Sequence, residues 1–81
     1  MKQPIKAEYD AELDDAGVHV VHRPTESYYD YYLLADGGLS RVPNERHAQP
    51  GGIGDYVLSD VEAMAYEVAQ EAYRRSRQQR S

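Results

Sequence analysis

Residues 28–35 read Tyr-Tyr-Asp-Tyr-Tyr-Leu-Leu-Ala, and tyrosine with leucine in a run of this length favours a pleated, half-buried strand. Alternation puts Tyr29, Tyr31 and Leu33 on one side and Tyr28, Tyr32 and Leu34 on the other. Asp36-Gly37-Gly38 follows, a triplet suited to a tight turn with positive φ, so the chain is expected to return as a short strand over 39–42. Upstream, Val18 to His22 is a β-branched run ended by Arg23-Pro24, which predicts a strand at about 18–23. Before it, Ile5, Ala7, Tyr9, Ala11 and Leu13 alternate with Lys6, Glu8, Asp10, Glu12 and Asp14. That period of two predicts a strand at about 4–13 with its apolar face in and its acidic face out. Asp15-Ala16-Gly17 supplies the turn between the first two strands.

Downstream, 43–55 holds two prolines and three glycines among polar residues, the composition of a loop. Ser59-Asp60-Val61-Glu62 then matches a capping box, with Ser59 as N-cap and Glu62 reaching back. Val61, Met64, Ala65, Val68, Ala69 and Ala72 recur at helical spacing, so a helix is expected from 60 to about 77, followed by a basic tail over 78–81. Asp60 and Glu62 at its start and Arg74, Arg75 and Arg77 at its end suit the helix dipole. The chain is read as a single α+β domain over 1–81: an antiparallel sheet of about four strands in two hairpins, packed on one long C-terminal helix.

Composition narrows the function. The 81 residues carry 14 acidic and nine basic side chains, for a formal charge of -5. Residues 1–73 hold all 14 acids against five bases, and four arginines follow in 74–81, so an acidic body ends in a basic tail. No apolar run reaches the roughly 18–20 residues that a bilayer span needs, and the first residues do not open a signal peptide. With no cysteine there is no disulfide framework, thiol nucleophile or zinc finger, and a cytosolic protein is the expectation. All eight aromatic residues are tyrosine. Tyrosines must therefore supply core area with their hydroxyls at the rim, or a second copy must cover part of the apolar surface.

Two surfaces stand out as partner-binding candidates. Glu8, Asp10, Glu12 and Asp14 project from one strand face about 6.5–7 Å apart. That is near the spacing of successive phosphates on a nucleic-acid strand, so the row could occupy a basic groove. Tyr29 and Tyr31, on a face left open by a single helix, form the second candidate, since tyrosine is enriched at interfaces. The plain alternatives are a solvated, aggregation-resistant strand face and a packed core. Tyrosine sheets also stack bases in some RNA binders, but those surround their aromatics with basic residues, and here Asp30 sits among them.

Catalysis and metal chemistry find little support. His19 and His22 fall on opposite sides of the expected strand, and His47 lies in the loop, so no metal site and no cofactor are expected. Pro50-Gly51-Gly52-Ile53-Gly54 lacks the Lys-Ser/Thr and helix start of a phosphate loop, and no nucleophile elbow is present.

Small, acidic, cysteine-free α+β domains of this kind resemble phage-encoded inhibitors of host defence, anti-CRISPR proteins among them. The resemblance covers size, charge and architecture, and implies a non-catalytic inhibitor that imitates nucleic acid with an acidic surface. The expected partner is a basic protein surface, as in a nucleic-acid-handling complex, with homodimerisation through the open tyrosine face. The second reading is a nucleic-acid-binding accessory protein that uses the tyrosine sheet and the arginine tail. A dimeric structural protein comes third and an enzyme last.

Overall fold

Asp30 has the same strand parity as Tyr28 and Tyr32, and an unpaired carboxylate is costly to bury. That side of the strand must face water, and the side with Tyr29 and Tyr31 must face the core. A computed structural model, which describes residues 2–47 and 55–79, has this arrangement. Strands β1 (Tyr9–Leu13), β2 (Gly17–His22), β3 (Ser27–Tyr32) and β4 (Asn44–His47) form an antiparallel sheet in the order β1-β2-β3-β4. Helix α1 (Leu58–Gln79) crosses one face, over β1 and β2 and less over β3. The α+β architecture is thus as the hydrophobic periods indicate.

Tyr9, Val18, Val20, Tyr29, Tyr31 and Leu39 from the sheet side meet Val61, Ala65 and Ala69 from the helix, and all are buried. The helical trio recurs every fourth residue and so forms one stripe. Two of its three members are alanine, which lets the helix approach closely while the tyrosine rings supply the volume. The Tyr31 and Tyr66 rings lie 5.7 Å apart, and the Tyr9 hydroxyl donates to the Val61 carbonyl at 2.8 Å. A buried tyrosine tolerates an apolar site only when its hydroxyl finds such an acceptor.

The meander is held by local turns. Asp14 closes the β1–β2 connection by accepting from the amides of Ala16 (2.8 Å) and Gly17 (3.1 Å). Gly17 itself has φ +154, and a Cβ there would stand 2.0 Å from the Tyr31 carbonyl oxygen. Only glycine fits so close a backbone approach.

Three expectations need correction. The first strand does not start at residue 4: Lys6–Glu8 is a 3₁₀ turn, because the Glu8 carboxylate binds inward, as described below. The return after Asp36-Gly37-Gly38 does not persist over 39–42. Leu33 pairs with Leu39, and Ser40 bonds Tyr32 through both its amide and its hydroxyl (2.8 and 3.0 Å). In an unbroken hairpin Asp30 would then face Val42, yet it faces Asn44. Two extra residues bulge out beside Pro43, which cannot donate to a ladder, and Val42 is 75% exposed. Pairing resumes as β4 inside the span expected to be loop; 48–54, with Pro50-Gly51-Gly52-Ile53-Gly54, lies outside the described residues. Lastly, the helix begins at Leu58, with the Val57 carbonyl accepting from Asp60 and Val61 (3.0 and 3.1 Å). Ser59 is therefore within the first turn and is not the N-cap. The helix also continues through Gln79, beyond the expected end near 77, and the last tail residues, 80 and 81, lie outside the described residues.

Replacing Gly17 by alanine forces backbone apart at the β2–β3 pair, and is expected to cost about 2–4 kcal/mol. Ser59→Ala, with no cap to lose, should stay within about 0.5 kcal/mol of the parent. Thermal unfolding of the two variants checks both values.

Candidate protein-binding face

The sheet face away from α1 is built by register. Asp10, Val21 and Tyr28 lie across one row of strands, and Glu12, His19, Asp30 and Asn44 across the next. Tyr32 adds an exposed ring at the end of β3. The acidic strand positions and the second pair of tyrosines therefore occupy one face rather than two. Arg23 contributes the positive charge at its edge, donating to Asp10 at 3.1 Å and to the Ala7 carbonyl. Both partners of that ion pair are more than half exposed, so it adds little stability.

At the centre of the face the His19 ring sits between two carboxylates. Its Nε2 is 2.7 Å from Asp14 Oδ2, and its Nδ1 is 2.8 Å from Asp30 Oδ1. Two acceptors on one ring call for two N–H donors, so the arrangement favours imidazolium. The hydrogen bond to Asp30, then that to Asp14, holds the His19 pKa above its usual 6.5. The His19 ring in turn holds Asp14 below the usual carboxylate value, with help from the Ala16 amide. Among the described residues no three histidine, aspartate or glutamate side chains come together in a way that could hold a metal ion.

Of the residues expected to bind a partner, Asp10, Glu12 and Asp14 are exposed as the strand pattern requires. Glu8 is not in the row. Its carboxylate accepts from the Tyr56 hydroxyl (2.8 Å) and the Ile5 amide (3.2 Å), and meets His22 Nε2 at 3.1 Å. Those bonds, Tyr56 first, hold its pKa below the ordinary value. Tyr29 and Tyr31 are 0% and 2% exposed under the helix, so they are core residues, and burial raises the Tyr29 hydroxyl to about 12. The tyrosines that a partner can reach are Tyr28 and Tyr32.

His22 and Thr25 escape the sequence reading. His22 is fully buried, tilted against Tyr9 and edge-to-face with Tyr56, with ring centroids at 4.6 and 4.9 Å. Its Nδ1 meets the Thr25 hydroxyl at 2.7 Å, which in turn bonds the Ser27 hydroxyl at 2.9 Å. Thr25, His22 and Glu8 thus form a hydroxyl–imidazole–carboxylate chain, but Thr25 is only 7% exposed. The chain fastens the N-terminal turn and Tyr56 to the sheet. A sequence signal existed: His22 has the strand parity of Val18 and Val20, and Ser27 that of Tyr29 and Tyr31.

The basic end of the molecule adjoins the sheet at the β1–β2 turn, where Arg77 lines one pocket with Asp14 and Asp15. Arg74, Arg75 and Arg77 are exposed, with Arg77 over the Tyr73 ring at 5.7 Å. Glu71 pairs with Lys6 rather than with the arginines that follow it in sequence. Among the described residues no helix is long and apolar enough to cross a membrane.

The sign of the pH dependence follows from the central cluster. A raised histidine pKa contributes stability that is complete below about 6.5 and is lost as pH rises through the folded-state value. A lowered Asp14 pKa contributes stability present above about 3.8 and lost as pH falls through its folded value. The cluster therefore supports the fold most between these limits. The His19 ring protons should titrate in NMR with a midpoint above 6.5, and Asp30→Asn should lower it more than Asp14→Asn. Between pH 6.5 and 8 the wild-type melting midpoint should fall more steeply than that of His19→Gln. Comparison with known proteins gives no matching family model, no similar curated protein and no similar solved structure.

Proposed function

We propose that this chain is a small, non-catalytic protein-binding module that presents the uncovered face of its sheet to a basic protein surface. The observation that carries the reading is the joint presence, on one open face, of Asp10, Glu12, Asp14 and Asp30 with Tyr28 and Tyr32. Carboxylates spaced along a strand steer and orient a basic partner, while tyrosine supplies rigid contact area at low entropic cost. Together they imitate the charge and the flat rings of a nucleic-acid strand. An inhibitor of a nucleic-acid-handling complex, of the phage-encoded kind, is the role that fits. A homodimer through this face is less suited to it, because like charges would meet across the interface.

The test compares Asp10→Lys/Glu12→Lys and Tyr32→Ala with the wild type, and with Arg74→Gln/Arg75→Gln/Arg77→Gln. All of these positions are exposed, so melting midpoints should stay close to wild type. Basic proteins retained on the immobilised wild type from a bacterial lysate should be lost with the double reversal, and retention should weaken as salt is raised. The arginine variant should retain them. The nucleic-acid reading gives the opposite pattern in a gel shift: neutralising the arginines abolishes binding and the double reversal strengthens it. Retention untouched by the double reversal would sink the proposal.

A further inference from the structure

The open edge of β1 carries more than its side chains. Among the described residues β1 is paired on one side only, to β2. The Glu8 carbonyl accepts from the Arg23 amide (3.1 Å) and the Asp14 amide donates to the Gly17 carbonyl (2.9 Å). In an antiparallel pair alternate residues turn their backbone groups toward the partner strand. Residues 8, 10, 12 and 14 therefore bond β2, and Tyr9, Ala11 and Leu13 turn theirs to the outer edge. The Tyr9 amide is used in the preceding turn, by Lys6. That leaves the Tyr9 carbonyl and both backbone groups of Ala11 and Leu13 as a row of strand-pairing sites.

Beside this row runs a groove of about 490 Å³ between β1 and α1. Tyr9 and Ala11 line it on the strand side and Val68 and Ala72 on the helix side, and the Lys6–Glu71 ion pair also belongs to its lining. The small side chains of Ala11 and Ala72 leave room for the apolar side chains of an added strand. On the other side of the same strand stand Asp10 and Glu12, both exposed.

We infer that β1 and the β1–α1 groove take an extended basic segment of the partner as an added strand. The inference deepens the proposed reading of the acidic face and rests on it. Two features select the occupant. A second copy of β1 would set Asp10 and Glu12 against their own kind, and like charges directly opposite disfavour pairing. A segment that alternates lysine or arginine with small apolar residues places cations against Asp10 and Glu12 and apolar side chains in the groove. The backbone ladder then gives affinity and the alternating side chains give specificity. The acidic pattern that keeps the edge from other copies thus admits one class of strand.

A capped hexapeptide of alternating lysine and valine is the probe, with binding read by fluorescence anisotropy and by amide exchange. It should bind the wild type, and the amides of Ala11 and Leu13 should become protected. Methylating the three valine nitrogens should weaken binding at least about tenfold while methylating the three lysine nitrogens should not, if the added strand is antiparallel; a parallel strand reverses the two. Either one-sided loss supports the proposal. Equal binding by both methylated peptides, or equal loss in both, overturns it, as does binding of a glutamate–valine peptide or failure of the parent peptide to bind. The acidic-face reading is scored separately: retention of folded basic proteins that still depends on Asp10 and Glu12 would leave it standing while the edge proposal falls.

Discussion

A single helix can cover only one face of a sheet, and here its covering stripe is Val61, Ala65 and Ala69. Such a narrow stripe brings the helix backbone close to the strands and leaves the volume of the core to tyrosine. Everything else in the molecule adjusts to that contact. The side of β3 with Tyr29 and Tyr31 turns inward, which sends Asp30 outward with Tyr28 and Tyr32. Register then lines Asp30 up with His19 and Glu12 across the sheet. The open acidic face is thus a consequence of how the core is filled.

Three buried polar side chains, His22, Thr25 and Ser27, are gathered at one end of the sheet. His22 is buried among Tyr9, Tyr56, Thr25 and Glu8 with a partner on each ring nitrogen. A buried network of this kind specifies geometry as well as stability, because removing any one member leaves another unsatisfied. It also explains why the N-terminal segment leaves the strand direction at residues 6–8. The Glu8 side chain has to reach Tyr56, which precedes the helix, and it does so by a turn.

Much of this was legible in the residues themselves. The period of two in 5–14, the β-branched run at 18–22, the tyrosine-rich run at 28–35 and the helical spacing from Val61 to Ala72 identify the α+β fold. The parity of Asp30 also decides which tyrosines are buried, although weighing the tyrosines by their type alone points to the wrong pair. The rest lay in tertiary contacts. Ile5-Lys6-Ala7-Glu8 continues the alternation, and contacts with His22 and with Tyr56, distant in sequence, draw Glu8 off it. Asn44-Glu45-Arg46-His47 has no apolar alternation, because a strand at the rim of a sheet and away from the helix has little to bury. Ser59 has the chemistry of a cap, but the Val57 carbonyl starts the ladder two residues earlier.

The two-residue slip between the Leu33–Leu39 bridge and the Asp30–Asn44 pair divides the sheet mechanically. On one side of it, β1, β2 and the inner face of β3 are locked under the helix by buried side chains. On the other, β4 is joined through a bulge at a proline and lies farthest from the helix's line of contact. Cooperative opening follows the density of buried contacts. Of the four strands, β4 is therefore the one whose pairing depends least on the packing beneath the helix.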